Sequence, residues 1–373
     1  MNRVIKIISY LVFLIIVLEV LCRVSLSNTT LLNSILNCDI DNSWRLRWIL
    51  NHKKLLKHSY HSYDSTKGWK CKRKFNCFEN GKTVNFNTKG VRGLSEYSYT
   101  KPKDKIRILT IGDSFTFGEE VNNNQTFPFY LQEILPNTEV INLGVCGYGH
   151  DQMYLYLKEE GIKYNPDFVI LGFVNADIKR NILMFRTYSK PKFKLISNKL
   201  YLTNSPVCQE SILKTTIYKL KLLNILVIIG EEISNRIPII KSYKEKAKIK
   251  LTAAILDEIV KTVYDADSIP IIVHITVPAE IDILRKETSL KNEEKRFLKD
   301  YYNDKSFLSA YCNKRRIYYI DTQALLLAEA EKANGTRLVT RGHWDHIGNY
   351  IVAKSIKDYF IQNNLLNSSK TKK

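Results

Sequence analysis

The chain has 373 residues, 45% of them apolar and 25% charged, which excludes wholesale disorder and leaves room for one large domain or two small ones. Its formal net charge is +20. Lys is scattered along the chain with no dense basic tract or aromatic-interleaved patch, so nucleic acid is not an expected partner; a lysine-coated surface or general attraction to anionic lipid and glycan both fit.

Taken in chain order, the N-terminus comes first. Arg3 and Lys6 precede an apolar run from Ile7 to Leu18, which resumes after Glu19 and meets Arg23. This predicts a signal-anchor helix over residues 1–26, with the N-terminus cytoplasmic and the large domain held on the outer face of the membrane. A cleaved signal peptide is the alternative, although "EVLCRVSLS" offers a poor cleavage site. Residues 27–60 are polar and Asn-rich and read as a stalk. Gly68, Gly81, Gly90 and Gly93 lie among Tyr, Trp and Lys and predict a small β-rich lead-in that ends at 104.

From Lys105 the pattern is regular. "IRILTIG", "TEVINLG", "DFVILGF", "SIPIIVHITV" and "RRIYYIDT" are apolar runs of strand length. Helical patterns separate them: one from Thr126, one in "DQMYLYLKEEG", then 244–265, 292–313, 323–333 and 345–362. Strands apolar on both faces and alternating with helices predict a doubly wound α/β domain over 105–365. An insert over 178–243 breaks the rhythm with a hairpin-like stretch and an apolar helix, as a lid or as decoration. Residues 366–373 read as a frayed tail.

Seven cysteines show neither CxxC nor zinc-type spacing, so no metal or cofactor is expected. Cys71 and Cys77 are close enough for a short-loop disulfide in an oxidising compartment. No P-loop, GxGxxG or HExxH is present.

Ligands of open α/β sheets bind beyond the strand carboxyl ends, and three polar stretches fall there: Gly112-Asp113-Ser114, "NLGVCGYGHDQ" and "GFVNADI". A serine on the turn leaving the first strand is either a structural turn residue or a nucleophile, given a base and oxyanion donors. The Ser114 and Gly147 N–H groups and the Asn175 amide are the candidate donors. Of the seven histidines, "RGHWDHIGNYIVAKSI" returns two, His343 and His346, to the crevice beside the first strand, where either is a candidate base. His150 reads as a helix cap or a pocket residue.

"IGDSFTFGEEV", "INLGVCGYGHDQ" and "GHWDHIGN", in that order, resemble the sequence blocks of the SGNH (GDSL-type) hydrolase family. The lead-in "KGVRGLSEYSYTKPKDKIRILTIGDS" resembles that of its membrane-anchored bacterial members. The resemblance covers residues 107–354 in outline, with the insert unmatched. It implies a flavodoxin-like sheet of about five parallel strands, a Ser114 nucleophile and a His343 base, with His346 second. It also implies an oxyanion hole from the Ser114 and Gly147 N–H groups, where Gly144 fits less well.

Two positions depart from the family pattern. Where it has Asn-Asp, this chain reads Asn175-Ala176-Asp177, which displaces the amide by one residue. Where it has an aspartate two or three residues before the histidine, this chain has Arg341 and Thr340. A guanidinium cannot accept the imidazole N–H. Asp345 or Asp321 is then the candidate acid, or the site is a Ser-His dyad. The implied activity is ester hydrolysis, with an acylated cell-envelope glycan as the expected substrate class. Acyl transfer to such a glycan, or a degenerate non-catalytic glycan-binding domain, are the alternatives.

Overall fold

The computed structural model describes residues 3–26, 40–51, 58–208, 220–286, 289–332, 339–340 and 342–368. Most of the expected stalk, Arg341 and the end of the expected tail lie outside the described residues.

The core is a sheet of five parallel strands, β1 (Ile106–Gly112), β2 (Thr138–Gly144), β3 (Phe168–Phe173), β4 (Ile269–His274) and β5 (Tyr318–Asp321), in the order β5-β4-β3-β1-β2. This is the doubly wound, flavodoxin-like order, and its switch point lies between β1 and β3. Alternate strand residues face opposite layers. Leu109, Ile111, Ile141, Leu143, Val169, Leu171 and Ile272 join a cluster with Met153 and Leu157 of the helix His150–Glu159. Leu251, Ile255, Ile259 and Val263 of the helix Pro238–Asp265 complete that layer. Ile108, Val140, Phe168, Ile170, Ile271, Val273 and Ile320 face the other way. They pack on Phe127 and Leu131 of the helix Phe127–Ile134 and on Val352, Ile356 and Phe360 of the helix His346–Gln362.

The helix starts have local causes. Thr126 accepts from the Phe129 N–H, and Pro128 sits in the first turn. Asp345 accepts from the N–H groups of Ile347 and Gly348. The helix expected over 244–265 starts earlier, at Pro238, directly after the helix Lys221–Arg236. Pro at the first helical position has no N–H to leave unpaired.

Before the sheet lie two antiparallel hairpins, His61–Asp64 with Gly68–Cys71 and Phe75–Glu79 with Lys82–Phe86. A third, Lys192–Ile196 with Lys199–Thr203, follows β3 and packs on the helix Pro238–Asp265. Cys71 and Cys77 are both free thiols, and burial pushes Cys71 up to about 12. The helix Arg3–Ser25 is long and apolar enough to cross a membrane, with a mean hydropathy of 2.7 over its best window; a signal sequence passes the same test. Glu19 on this helix accepts from Arg23 and from the N–H groups of Lys221 and Leu222, capping the helix Lys221–Arg236.

Candidate active site

At the carboxyl end of β1 the chain turns through Asp113 into the short helix Ser114–Phe117, with Asp113 Oδ1 accepting from the Phe115 N–H at 2.9 Å. This turn lies directly on the sheet edge. A Cβ on Gly172 would stand 2.2 Å from Thr116 Oγ1, and one on Gly144 would stand 2.3 Å from the Phe117 nitrogen. Hydrogen in place of a side chain at the ends of β2 and β3 is what lets Ser114 sit at the switch point.

His343 arrives from the far end of the domain. Its two-residue strand His343–Trp344 pairs with Val339–Thr340. Trp344 Nε1 donates to the Thr276 carbonyl at 3.1 Å. Asn349 ties the loop down: its Nδ2 donates to the carbonyls of Trp344 and Asp345, and its Oδ1 accepts from the Phe127 N–H. So held, His343 Nε2 lies 2.8 Å from Ser114 Oγ. His346 is an exposed residue of the following helix's first turn.

The turn after β2 carries Gly147, with φ +83°. Trp69 Nε1 donates to the Cys146 carbonyl at 3.0 Å, and Tyr148 Oη donates to the Trp69 carbonyl. The N–H groups of Ser114 and Gly147 have no acceptor among the described residues. Beneath them lies a buried ionic knot. The Arg180 guanidinium donates to Asp113 Oδ2 at 2.7 Å, to the Tyr148 carbonyl at 3.0 Å and to Asp177 Oδ1. Burial, with Asp113 close by, pushes Asp177 well above the usual carboxylate range. His150 is fully buried, stacked on Phe173 with its Nδ1 at Asn181, and burial holds it at about 3 as a neutral ring.

The remaining sequence candidates lie elsewhere. Asn175 Oδ1 is 3.0 Å from His274 Nε2, and its Nδ2 donates to Glu280 Oε1. Burial raises Glu280 to about 7 against the donors from Val277 and Asn175. Asp321 stands 3.8 Å from His274 Nδ1 and 2.6 Å from Lys305. Burial opposes its ionisation, but His274, Lys305 and the Gln323 N–H outweigh this and hold it at about 2. Asp345 is spent on its helix cap. Neither aspartate has a hydrogen bond or ion pair to His343.

The carboxylates next to His343 come instead from the loop after the short helix. Glu119 Oε2 lies 3.4 Å from His343 Nε2, and Glu120 Oε2 lies 4.0 Å from Nδ1, which has no hydrogen-bond partner among the described residues. Glu119 Oε1 also faces His58 Nε2 at 3.6 Å, while His58 Nδ1 meets Glu79 at 2.9 Å. His58, Glu119 and Cys146 place ligand-type atoms within 4.8 Å of one another. Burial pushes the Cys146 thiol well up, and Cys146 Sγ lies 3.4 Å from Tyr60 Oη.

No family model matches this chain, and no curated protein matches it. Solved structures similar to it include a member of the lipolytic protein G-D-S-L family from Veillonella parvula. It is 14% identical with a TM-score of 0.37, over 68% of this chain and 98% of that one. A GDSL-like lipase from Bacteroides thetaiotaomicron is 13% identical with a TM-score of 0.39, over 70% of this chain and 91% of that one. A catalytic mutant of an acetylxylan esterase from Geobacillus stearothermophilus is 14% identical with a TM-score of 0.40, over 70% of this chain and 96% of that one. At such distances the functional reading rests on the site itself.

Two predictions follow from the geometry. Arg180→Met leaves Asp113 and Asp177 facing each other without their shared cation. It should cost about 3–5 kcal/mol of stability, read as a lower urea midpoint by tryptophan fluorescence. The second concerns pH. Burial lowers the His343 pKa from 6.5, Glu119 and Asp113 oppose this, and Arg180 and His58 add to it. A base works when neutral, so kcat/KM on an aryl acetate should rise with pH through an apparent pKa below 6.5 and then stay flat. An ascending limb above that value would contradict the assignment.

Proposed function

We propose that this chain is an SGNH-type serine hydrolase that cleaves esters, with Ser114 as nucleophile and His343 as base. The observation that carries this reading is the 2.8 Å approach of His343 Nε2 to Ser114 Oγ at the carboxyl ends of the strands. With Ser114 donating to Nε2, the Oγ–C bond forms as Nε2 takes the hydroxyl proton. The N–H groups of Ser114 and Gly147 stabilise the tetrahedral oxyanion. Collapse breaks the ester C–O bond, and the imidazolium returns the proton to the leaving alkoxide. Water, deprotonated by the same imidazole, then attacks the acyl-enzyme, releases the acid and restores Ser114.

Asn175 is the weak part of the hole. Its side chain bonds to His274 and Glu280, so the two backbone donors carry the oxyanion in this reading. The substrate class is an acylated cell-envelope glycan. It is supported by an apolar N-terminal helix that would tether the domain to the outer face of the membrane. The Glu19 contacts with Lys221 and Leu222 support a helix that stays with the mature protein.

The test is fluorophosphonate labelling of the full-length protein in detergent, wild type beside Ser114→Ala. Label on the wild type alone, with turnover of aryl acetates, is the expected result; no serine-dependent label would end the hydrolase reading. Label with acyl transfer to an added glycan, in place of free acid, would make the protein a transferase. Membrane fractionation checks the tether: residues 3–25 should be recovered in the membrane-bound mature chain, and a mature N-terminus beyond Ser25 would refute it.

A further inference from the structure

In the reading above, Ser114 donates to His343 Nε2, so the ring proton must sit on Nδ1. That N–H points away from the serine and needs an acceptor, both to hold the ring and to offset the charge of the imidazolium. No acceptor for it is found among the described residues, and Asp345 and Asp321 are committed elsewhere.

We propose that Glu120 is the positioning carboxylate of His343, a role filled from the loop just after the nucleophile instead of the loop before the base. The proposal rests on the Ser114–His343 reading. Its first support is placement: Glu120 Oε2 lies 4.0 Å from Nδ1, an atom with no hydrogen-bond partner among the described residues, and the Glu120 side chain is only 9% exposed. Hydrogen bonds of this kind are commonly long without substrate and tighten in the reacting complex.

The second support is the backbone. Glu120 has φ +69°, in the left-handed region where glycine is at ease and a longer residue is disfavoured. Gly118, two residues earlier, has φ +79° and is a glycine. A glutamate held in such a conformation, with its carboxylate beside the base, fits a site where strain is tolerated because the side chain is needed. Glu119 cannot do the same work. Its Oε2 faces Nε2, the atom Ser114 already uses, and its Oε1 faces His58.

In the cycle Glu120 acts through its carboxylate oxygen. It accepts the Nδ1–H bond in the resting state and offsets the positive charge when Nε2 takes the Ser114 proton. It gains no proton itself and so acts only through His343. The other groups that face or influence the ring are Glu119, Asp113, Arg180 and His58, with the Phe115 ring 4.8 Å away. The pH response is therefore read as a difference between wild type and variant, with all of these retained.

The test uses full-length protein in detergent: wild type, Glu120→Gln and Glu120→Gly. Each variant should lose about 10²–10⁴-fold in kcat on an aryl acetate and in fluorophosphonate labelling rate, with KM little changed. Glu120→Gly suits the left-handed backbone, so it should melt no lower than wild type while losing activity, a combination that a merely structural glutamate would not give. Added formate should restore part of the rate, and the acid limb should move to lower pH once the proposed acceptor at Nδ1 is gone. Variants within about threefold of wild type, or activity lost only together with melting temperature and without formate rescue, would overturn the proposal. A wild type that takes no label overturns the Ser114–His343 reading beneath it, and that lane alone separates the two failures.

Discussion

One guanidinium holds the candidate site together. Arg180, from the helix Asn175–Arg180, bonds at once to Asp113 before the nucleophile, to the Tyr148 carbonyl in the turn after β2, and to Asp177 in its own helix. These are the three loops that leave β1, β2 and β3. Two buried carboxylates around one cation would be costly if both were charged. Burial and the closeness of Asp113 relieve that cost by pushing Asp177 toward its protonated form. The same device recurs nearby, where the buried Lys190 ammonium donates to Asp151 and to the carbonyls of Arg180, Leu183 and Pro191. The segment after β3 is thereby fastened to the helix that begins at His150.

Above this ionic layer the constraint is steric. The helix Ser114–Phe117 sits so low on the sheet that Thr116 and the Phe117 backbone occupy the space where side chains at Gly172 and Gly144 would stand. Ser114 at this edge is backed by the strand ends and is itself buried, at 5% exposure. Asn349 then links the base loop to the start of the helix that follows the nucleophile, through the Phe127 N–H. The 2.8 Å Ser114–His343 approach is thus a product of packing on both sides of the switch point.

Much of this was legible in the sequence, and the limits are instructive. The five core strands read correctly because residues buried on both faces leave continuous apolar runs, and Thr126 and Asp345 mark helix starts by chemistry that needs no tertiary context. Ser114 and His343 stand out in the sequence because each lies at an element end beside glycines, and the structure brings them within 2.8 Å. The carboxylates beside His343 do not stand out. Asp321 looks well placed at a strand end, yet the register pairs it with His274 on β4, and that histidine claims it together with Lys305. Asp345 is closer to His343 in sequence than any other carboxylate, but an N-cap turns its side chain toward its own helix. The acid pair Glu119-Glu120 was visible in "GDSFTFGEEV". That it curls back toward a base more than two hundred residues away depends on left-handed backbone at Gly118 and Glu120, which no periodicity reveals. Arg180 left no signal either, since an isolated arginine in a short helix reads as surface.

The lead-in changes where the functional unit begins. The Tyr60 ring stacks on Phe117 at 5.3 Å between ring centres, and the Arg92 guanidinium lies 4.2 Å over the same ring. Trp69 supports the turn that carries Gly147, and His58 faces Glu119 with Glu79 behind it. Residues 58–92 therefore supply one wall of the helix Ser114–Phe117 and part of the charge field around His343. The strand pattern alone starts the domain near Lys105, because sheet periodicity marks where the scaffold starts. The packing around the helix Ser114–Phe117 starts earlier, at the residues that pack on Phe117 and steady the turn of Gly147, so a chain cut at 105 would keep the five strands while exposing the underside of that helix.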